Sequence, residues 1–517
     1  MIIALSLSMV PAVLDQQNKN AFFHLAEPKL TCYDSAQQQT CPQYIFDNFE
    51  FYKKVMFDRD EPHLPEEYKQ IYNTDALQQV KLIVQKLDDL VDIKSVNESY
   101  AINVSKSEIL IIAATPMASA RAFATLSQLP IMDKQVESDQ QSYMIQQTVI
   151  TDKPAAHWRH YSADACAHYM TVSDIQRIIS AASIQKLNVL LLTLSCSHSF
   201  PLQFTGYPQS RLVYGSWSPR HFYSQQDLQK LQTFAQQRGV LLVPELRIPS
   251  QTGSWQFANG QLLADCPVLT AQNVNNFVLN PVKELTYQYI EGMIRETVGM
   301  YKGLNIRPVI HLGGELVNFQ CWEADREINA YMKEKNLTGS QLWNEFALKV
   351  NGIIEKIDPT IIAVWNEAAL NNDNKMTPDA IIHYTVNNNK QKSVNNKIHS
   401  IHSINWFLSS MHPGGGHHYF WQETWHDLYR QDPNQGCGDF CLGGGAIQPS
   451  NNCYAKSCEQ HSFDRAIGVS DILWKGKTTN AWGETRRMEM LGCKLDNVGI
   501  GNGPLDIGAP CPGYIFV

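Results

Sequence analysis

The sequence predicts an α/β protein: a (β/α)8 barrel of the TIM type, preceded by a small N-terminal α/β domain. Three observations carry that expectation. From about residue 156 onward, strand-like and helix-like segments alternate along the chain, as parallel strands joined by crossover helices do. Polar residues gather just after each strand-like segment, where such a barrel builds its site. Before residue 156 the rhythm differs, and 517 residues leave room for one large barrel with an appendage.

The elements follow in order. Residues 1–15 are a signal-like apolar N-terminus without a basic leading region. Residues 16–155 make the first domain. Residues 18–75 read as polar and irregular. The stretch 75–92 spaces its apolar residues as a helix does. SYAINVSKSEILIIAA alternates and then turns fully apolar, as two strands would, and ATPMASARAFATLSQLP is helical. Residues 156–517 make the barrel. Its helix–strand pairs are SDIQRIISAASIQ with KLNVLLLTL, DLQKLQTFAQQRG with VLLVPEL, LTYQYIEGMIRETVGMY with IRPVIHLGGE, and GSQLWNEFALKVNGIIEKI with TIIAVWNE.

Composition excludes several classes. Apolar residues make up 44% and charged residues 18%, an ordinary globular balance. The net charge of −8, without a long basic block, argues against a nucleic-acid partner. No apolar run approaches the roughly 20 residues of a membrane span. Twelve cysteines without zinc-type spacing suggest disulfides and an oxidising compartment. Sequons at Asn97, Asn103 and Asn336 agree. The expected location is therefore the secretory pathway: extracellular, cell-surface or lysosomal.

Four groups of residues stand at strand ends in order: KLNV with SFP, PEL-x-x-P-x-x-T-x-SW, HLGGE-x-V-x-x-x-CW and VWNE. Together they resemble the family-20 glycoside hydrolases, the β-N-acetylhexosaminidases, over nearly the whole chain. That resemblance implies removal of terminal N-acetylhexosamine from glycans, with the substrate's own acetamido oxygen as nucleophile and no cofactor. It also implies glycans as partners and a homo- or heterodimer with a homologous subunit. The family motif His-x-Gly-Gly-Asp-Glu-Val supplies an Asp that orients the acetamido group and a Glu that protonates the leaving oxygen.

This chain departs from that pattern. The spacing from His311 to Val317 and on to Cys321-Trp322 matches without a gap, so the Asp position is Glu315 and the acid position is Leu316. Leucine donates no proton, and losing a positioned acid costs about 10²–10⁴ in rate. Strand alternation would turn Glu315 away from the acid's place. Where the family has His-x-His-x-x-Asp-Asp, the chain reads Leu191, Thr193, Cys196 and Ser197. Arg247 and Gln251 replace a supporting Asp and His. Thr385 replaces a Trp of the aromatic cage, and Gly443-Gly444-Gly445…Pro449-Ser450-Asn451 replaces a carboxylate-bearing stretch.

Other positions match. Arg159 stands where the resemblance places a sugar-binding arginine, or it forms a barrel-end salt bridge with Asp164. Trp406 stacks on a sugar or fills the core, and Tyr429 contacts the acetamido group or packs. Glu367, closing the strand with Trp365, lines the pocket or pairs with Arg159. The family's disulfide pattern implies Cys266 with Cys321 and Cys493 with Cys511. Cys437, Cys441, Cys453 and Cys458 pair among themselves in an order the sequence leaves open. Cys196 is inert or bridged. His412, His417 and His418 lack further ligands at metal spacing, and no metal is expected. The resulting expectation is a hydrolysis-deficient protein that acts as a glycan-binding, structural or subunit partner. The alternative is an active exo-β-N-acetylhexosaminidase.

Overall fold

In a computed structural model, the protein is described at residues 13, 15–57, 76–133, 142–204, 216–266, 277–366, 379–385, 398–404, 406, 408, 425–433, 441–447, 455–477 and 481–501. Two units are stacked.

The first unit is a six-stranded mixed sheet in the order β1-β2-β4-β3-β6-β5. Its strands are β1 (Asp15–Asp34), β2 (Leu77–Val84), β3 (Tyr100–Val104), β4 (Ile109–Ala113), β5 (Ile131–Asp133) and β6 (Ser142–Asp152). Helices α1 (Gln43–Met56) and α2 (Pro116–Leu126) complete it. The expectation of an irregular stretch over 18–75 is corrected, because that stretch holds most of β1 and all of α1. Residues 15–18 of β1 pair with β6, and residues 29–34 pair with β2. Its ladder partners, rather than its own mostly polar sequence, make it a strand. In α1 the buried Ile45, Phe49, Tyr52 and Met56 form a helical stripe.

The helix expected over 75–92 is also corrected. Residues 77–84 are a strand in which Val80, Leu82 and Val84 are buried. Alternation set by the flanking β1 and β4 overrode the weaker helical spacing.

The second unit is a closed eight-stranded parallel barrel. Its strands are β7 (Trp158–Asp164), β8 (Val189–Ser195), β9 (Leu241–Leu246), β10 (Val309–His311), β11 (Ile362–Asn366), β12 (Ile381–Tyr384), β13 (His399–His402) and β14 (Cys441–Ile447). Around it lie α3 (Val172–Ile184), α4 (Gln225–Gln237), α5 (Glu284–Val298), α6 (Phe319–Ala324), α7 (Arg326–Lys335), α8 (Gly339–Ile357), α9 (Trp425–Tyr429), α10 (Ala455–Lys475) and α11 (Ala481–Asn497). Capping boxes start α3 at Thr171/Asp174, α4 at Ser224/Asp227 and α8 at Thr338/Gln341. Among the described residues no helix is long and apolar enough to cross a membrane.

A buried ionic joint fastens the sheet to the barrel base. One Glu98 oxygen accepts from Arg121 Nε and Arg159 Nη2, both at 2.7 Å, and the other accepts from Asn188 Nδ2 at 3.0 Å. Beside it Asp152 accepts from Lys186 Nζ at 2.9 Å, from Trp474 Nε1 at 3.0 Å and from the Tyr100 hydroxyl. Opposing arginines hold the Glu98 carboxyl below its ordinary range although burial pushes it up.

Candidate functional site at the barrel mouth

The inward side chains at the C-terminal ends of β7, β8 and β9 converge on one guanidinium. Arg247 Nη2 lies 3.6 Å from Asp164 Oδ2, and Arg247 Nε lies 3.4 Å from Glu245 Oε2. Arg247 Nη1 donates to Gln251 Oε1 at 2.9 Å, and Nη2 donates to Thr193 Oγ1 at 3.4 Å. Thr193 also donates to Glu245. Burial works against the arginine's charge, but Glu245, Asp164 and Glu315 outweigh it and raise its pKa. Burial pushes Glu245 up, yet Arg247 and His311 hold it below the ordinary carboxylate range.

The turn after β10 forms the next side of the mouth. Gly313 and Gly314 have φ of +70° and +99°. A Cβ on Gly313 would meet Arg247 Cα at 3.1 Å, and one on Gly314 would meet Trp343 at 2.9 Å and Trp365 at 3.1 Å. Glycine is therefore required by conformation and by contact. Ser250 Oγ donates to Glu315 O, and the Asn366 amide donates to Gly313 O at 2.7 Å. Leu316 leaves this turn at φ +55° with 55% of its surface exposed. Because β10 ends at His311, strand alternation does not govern Glu315, and that argument against it is corrected. Glu315 is half-buried and close enough to act on Arg247 electrostatically.

Below the mouth a row of rings crosses the barrel. Trp158 Nε1–H donates to His160 Nδ1 at 2.8 Å. His160 Nε2 and Ser403 Oγ are 3.2 Å apart, and Ser403 Oγ and His383 Nε2 are 2.8 Å apart. His383 Nδ1 meets His311 Nε2 at 3.1 Å. His311 Nδ1 receives the Gly313 amide at 3.1 Å and lies 3.3 Å from Glu245 Oε1. Burial, reinforced by the neighbouring rings, pushes His383 well down and His160 down to about 3. Burial also lowers His311, with Glu245 opposing. These rings are neutral spacers that tie the mouth to the barrel floor. Sequence reasoning missed them. The signal was present as period-2 placement of His160, Ser162 and Asp164 along β7.

The structure brings Glu315, Leu316, Arg247, Gln251 and Thr193 to the mouth. Thr385 follows β12 and is buried. Cys196 is bridged to Cys166, locking the turn after β7 to that after β8. Asp164, Cys166 and Cys196 lie close together, but the disulfide leaves no thiolate to hold a cation.

Arg159 is corrected. It sits at the opposite end of β7, fully buried, and pairs with Glu98 rather than with a sugar or Asp164. Tyr429 is buried in the helical shell, where its hydroxyl donates to Asp471 at 3.0 Å and accepts from Lys475 at 3.2 Å. Trp406 is 3% exposed and donates to Leu428 O at 3.3 Å, which is the core position. Trp365 points outward to Asn351 at 3.1 Å.

The disulfides Cys32–Cys41 and Cys266–Cys321 are formed. Cys441 and Cys493 are disulfide-bonded, Cys458 stands in α10, and Cys437, Cys453 and Cys511 lie outside the described residues. Glu367, Pro449, Ser450, Asn451, His412, His417 and His418 lie outside them too. Asn97, Asn103 and Asn336 are all exposed.

A closed parallel barrel with a carboxylate-rich mouth, a Gly-Gly turn after β10 and a mixed sheet under its base make a two-unit α/β scaffold with its candidate site at the C-terminal face of the barrel. The glycosyl hydrolase family 20 catalytic domain matches residues 157–485, and the β-acetyl hexosaminidase-like domain matches residues 9–129. The chain belongs to glycosyl hydrolase family 20. It is 26% identical over 415 residues to β-hexosaminidase subunit A1 of Dictyostelium discoideum, covering 79% of this chain and 76% of that one. It is 28% identical over 404 residues to β-hexosaminidase A of Caenorhabditis elegans, covering 75% and 66%. The β-N-acetylhexosaminidase of Bacteroides fragilis shares the fold at TM-score 0.74 and 18% identity, over 98% of this chain and 99% of that one.

Proposed function

We propose that this protein is a hydrolysis-deficient member of its family that recognises N-acetylhexosamine-containing glycans. One observation carries the reading: Leu316 stands more than half exposed at the mouth, and the resemblance from His311 to Trp322 assigns that position to the family's proton donor. Cleaving a glycosidic bond requires a proton on the leaving oxygen, and an aliphatic side chain delivers none. The turn that would present the acid is otherwise kept, with both glycines and the Cys266–Cys321 bridge in place. The groups around it have changed together. Arg247 now fills the mouth with ion pairs to Asp164 and Glu245.

A second reading is favoured by the names of relatives, several of which are subunits designated A1, A2, alpha or beta. On that reading the chain is a non-catalytic subunit beside a homologue. The disulfides and the exposed sequons support passage through an oxidising, secretory compartment.

The test restores the family pair with Glu315→Asp and Leu316→Glu in one chain. Appearance of β-N-acetylglucosaminide hydrolysis supports a sound pocket lacking only its acid. A chain that still binds sugar yet stays inactive points to Arg247 and Gln251 as the remaining block. Loss of sugar binding in the unmodified chain would sink the glycan reading and leave the subunit reading, which native mass with a homologue then decides.

A further inference from the structure

The outer face of the six-stranded sheet carries an apolar patch with a sequon at its centre. Along β3 and β4, Ile102, Val104, Ile109 and Ile111 are buried toward α2, and the residues between them face outward. On that outward face Asn103 stands directly opposite Leu110 of β4 and Val149 of β6. Ala101 stands opposite Ile112, which pairs in turn with Ile83 of β2. Ile112 is 36% and Val149 38% exposed, and Leu110, Ala101 and Ile83 are half-buried. Aliphatic side chains gathered on an open sheet face form the contiguous apolar surface that folded proteins normally keep covered. Asn103 is exposed among them, as the first residue of Asn103-Val104-Ser105. Side chains directly across a strand pair lie about 5 Å apart, and diagonal ones about 7–8 Å. One sugar ring linked through the Asn103 amide therefore reaches Leu110, Val149 and Ile112.

We propose that Asn103 carries an N-linked glycan whose first N-acetylglucosamine lies flat on this patch. The C–H face of the ring and its acetyl methyl cover the aliphatic side chains, while the hydroxyls stay in water. The linkage forms between Asn103 Nδ2 and C1 of the donor sugar. The amide gives up one proton, and the pyrophosphate of a lipid-linked donor leaves with the bonding electrons. The tether selects the occupant: a glycan rooted between Leu110 and Val149 covers the patch and excludes a second protein from it. The proposal rests on secretory passage and is independent of sugar recognition at the mouth.

The test expresses the full chain through a eukaryotic secretory pathway and maps the three sequons by glycopeptide mass spectrometry. Enzymatic release of the Asn103 glycan is then followed on the folded protein. Asn103 should be occupied. Ile112→Thr with Val149→Thr keeps β-branched residues on a solvent face and should speed release about tenfold, the factor set by losing roughly 60 Å² of apolar contact. Asn103→Gln should raise binding of an apolar-surface dye, and adding the two threonines should cancel that rise. If the double variant folds poorly, the dye readout on Asn103→Gln stands by itself. An occupied Asn103 with unchanged release and unchanged dye binding overturns the packing. Occupancy at Asn97 or Asn336 with Asn103 bare overturns the site while leaving secretory passage intact. Three bare sequons overturn both.

Discussion

Leu316 combines two unfavourable features, a left-handed backbone and an exposed apolar side chain. Neither is stabilising. Leu316→Gly should therefore stabilise the fold, by about 1 kcal/mol in denaturant unfolding. Gly314→Ala should do the opposite. It forces a Cβ into left-handed backbone and against Trp343 and Trp365, costing about 1–3 kcal/mol. Were Gly314→Ala neutral, the turn would be more plastic than its contacts imply. At this scale much was legible in the sequence. The spacing His311-Leu-Gly-Gly placed the turn correctly because only glycine meets its backbone demands. Arg159 was not legible. Five residues of strand separate it from Asp164, about 17 Å at strand rise, so the two occupy opposite ends of the barrel.

Among the elements, the ring row linking β7, β10, β12 and the residue after β13 gives the barrel a pH dependence. Each of His160, His311 and His383 is held neutral, with its folded pKa below the ordinary value. His160 shows why most clearly. Its Nδ1 faces the Trp158 indole, which can only donate, so a second ring proton would set N–H against N–H. The groups facing the row are Glu245, which favours charging of His311, and Arg247, which opposes it. The unfolded chain takes up protons near pH 6.5 and the folded chain does not. Stability is therefore intact above that pH and falls as pH drops toward the folded values. His160, whose folded pKa lies at about 3, should cost about 2 kcal/mol between pH 7.5 and pH 5, and His383 and His311 add to the loss in the same direction. Denaturant midpoints at the two pH values measure the loss, and His160→Gln should shrink it by one histidine's share. A chain equally stable at pH 5 and pH 7.5 would refute the neutral row. Sequence reasoning missed the row because it is assembled from single inward positions on separate strands. It also read β2 as a helix, because the pairing that decides between two periodicities lies in β1 and β4.

In the whole molecule, the sheet and the barrel share a buried charge cluster rather than an apolar seam alone. Glu98 holds two arginines from different units, all three fully buried. Removing one partner strands the others without water. Glu98→Gln should therefore cost about 3–5 kcal/mol, read as an earlier unfolding transition. A change below 1 kcal/mol would mean that the joint is solvated. Glu98 is the middle residue of the sequon beginning at Asn97, whose own side chain is exposed. One tripeptide thus contributes both to the surface and to the joint. The two-unit architecture was legible from the change of rhythm near residue 156. The joint was not, since Glu98 and Arg159 lie far apart in the chain and nothing in their local sequence pairs them.

On the proposed function, the scaffold is kept while the proton donor for hydrolysis is missing. Hydrolysis of an aryl β-N-acetylglucosaminide by the purified chain tests it most directly, against a Leu316→Ala control. No turnover above that control is expected. Turnover above it, lost on Glu315→Gln, would overturn the hydrolysis-deficient reading and make Glu315 the acid.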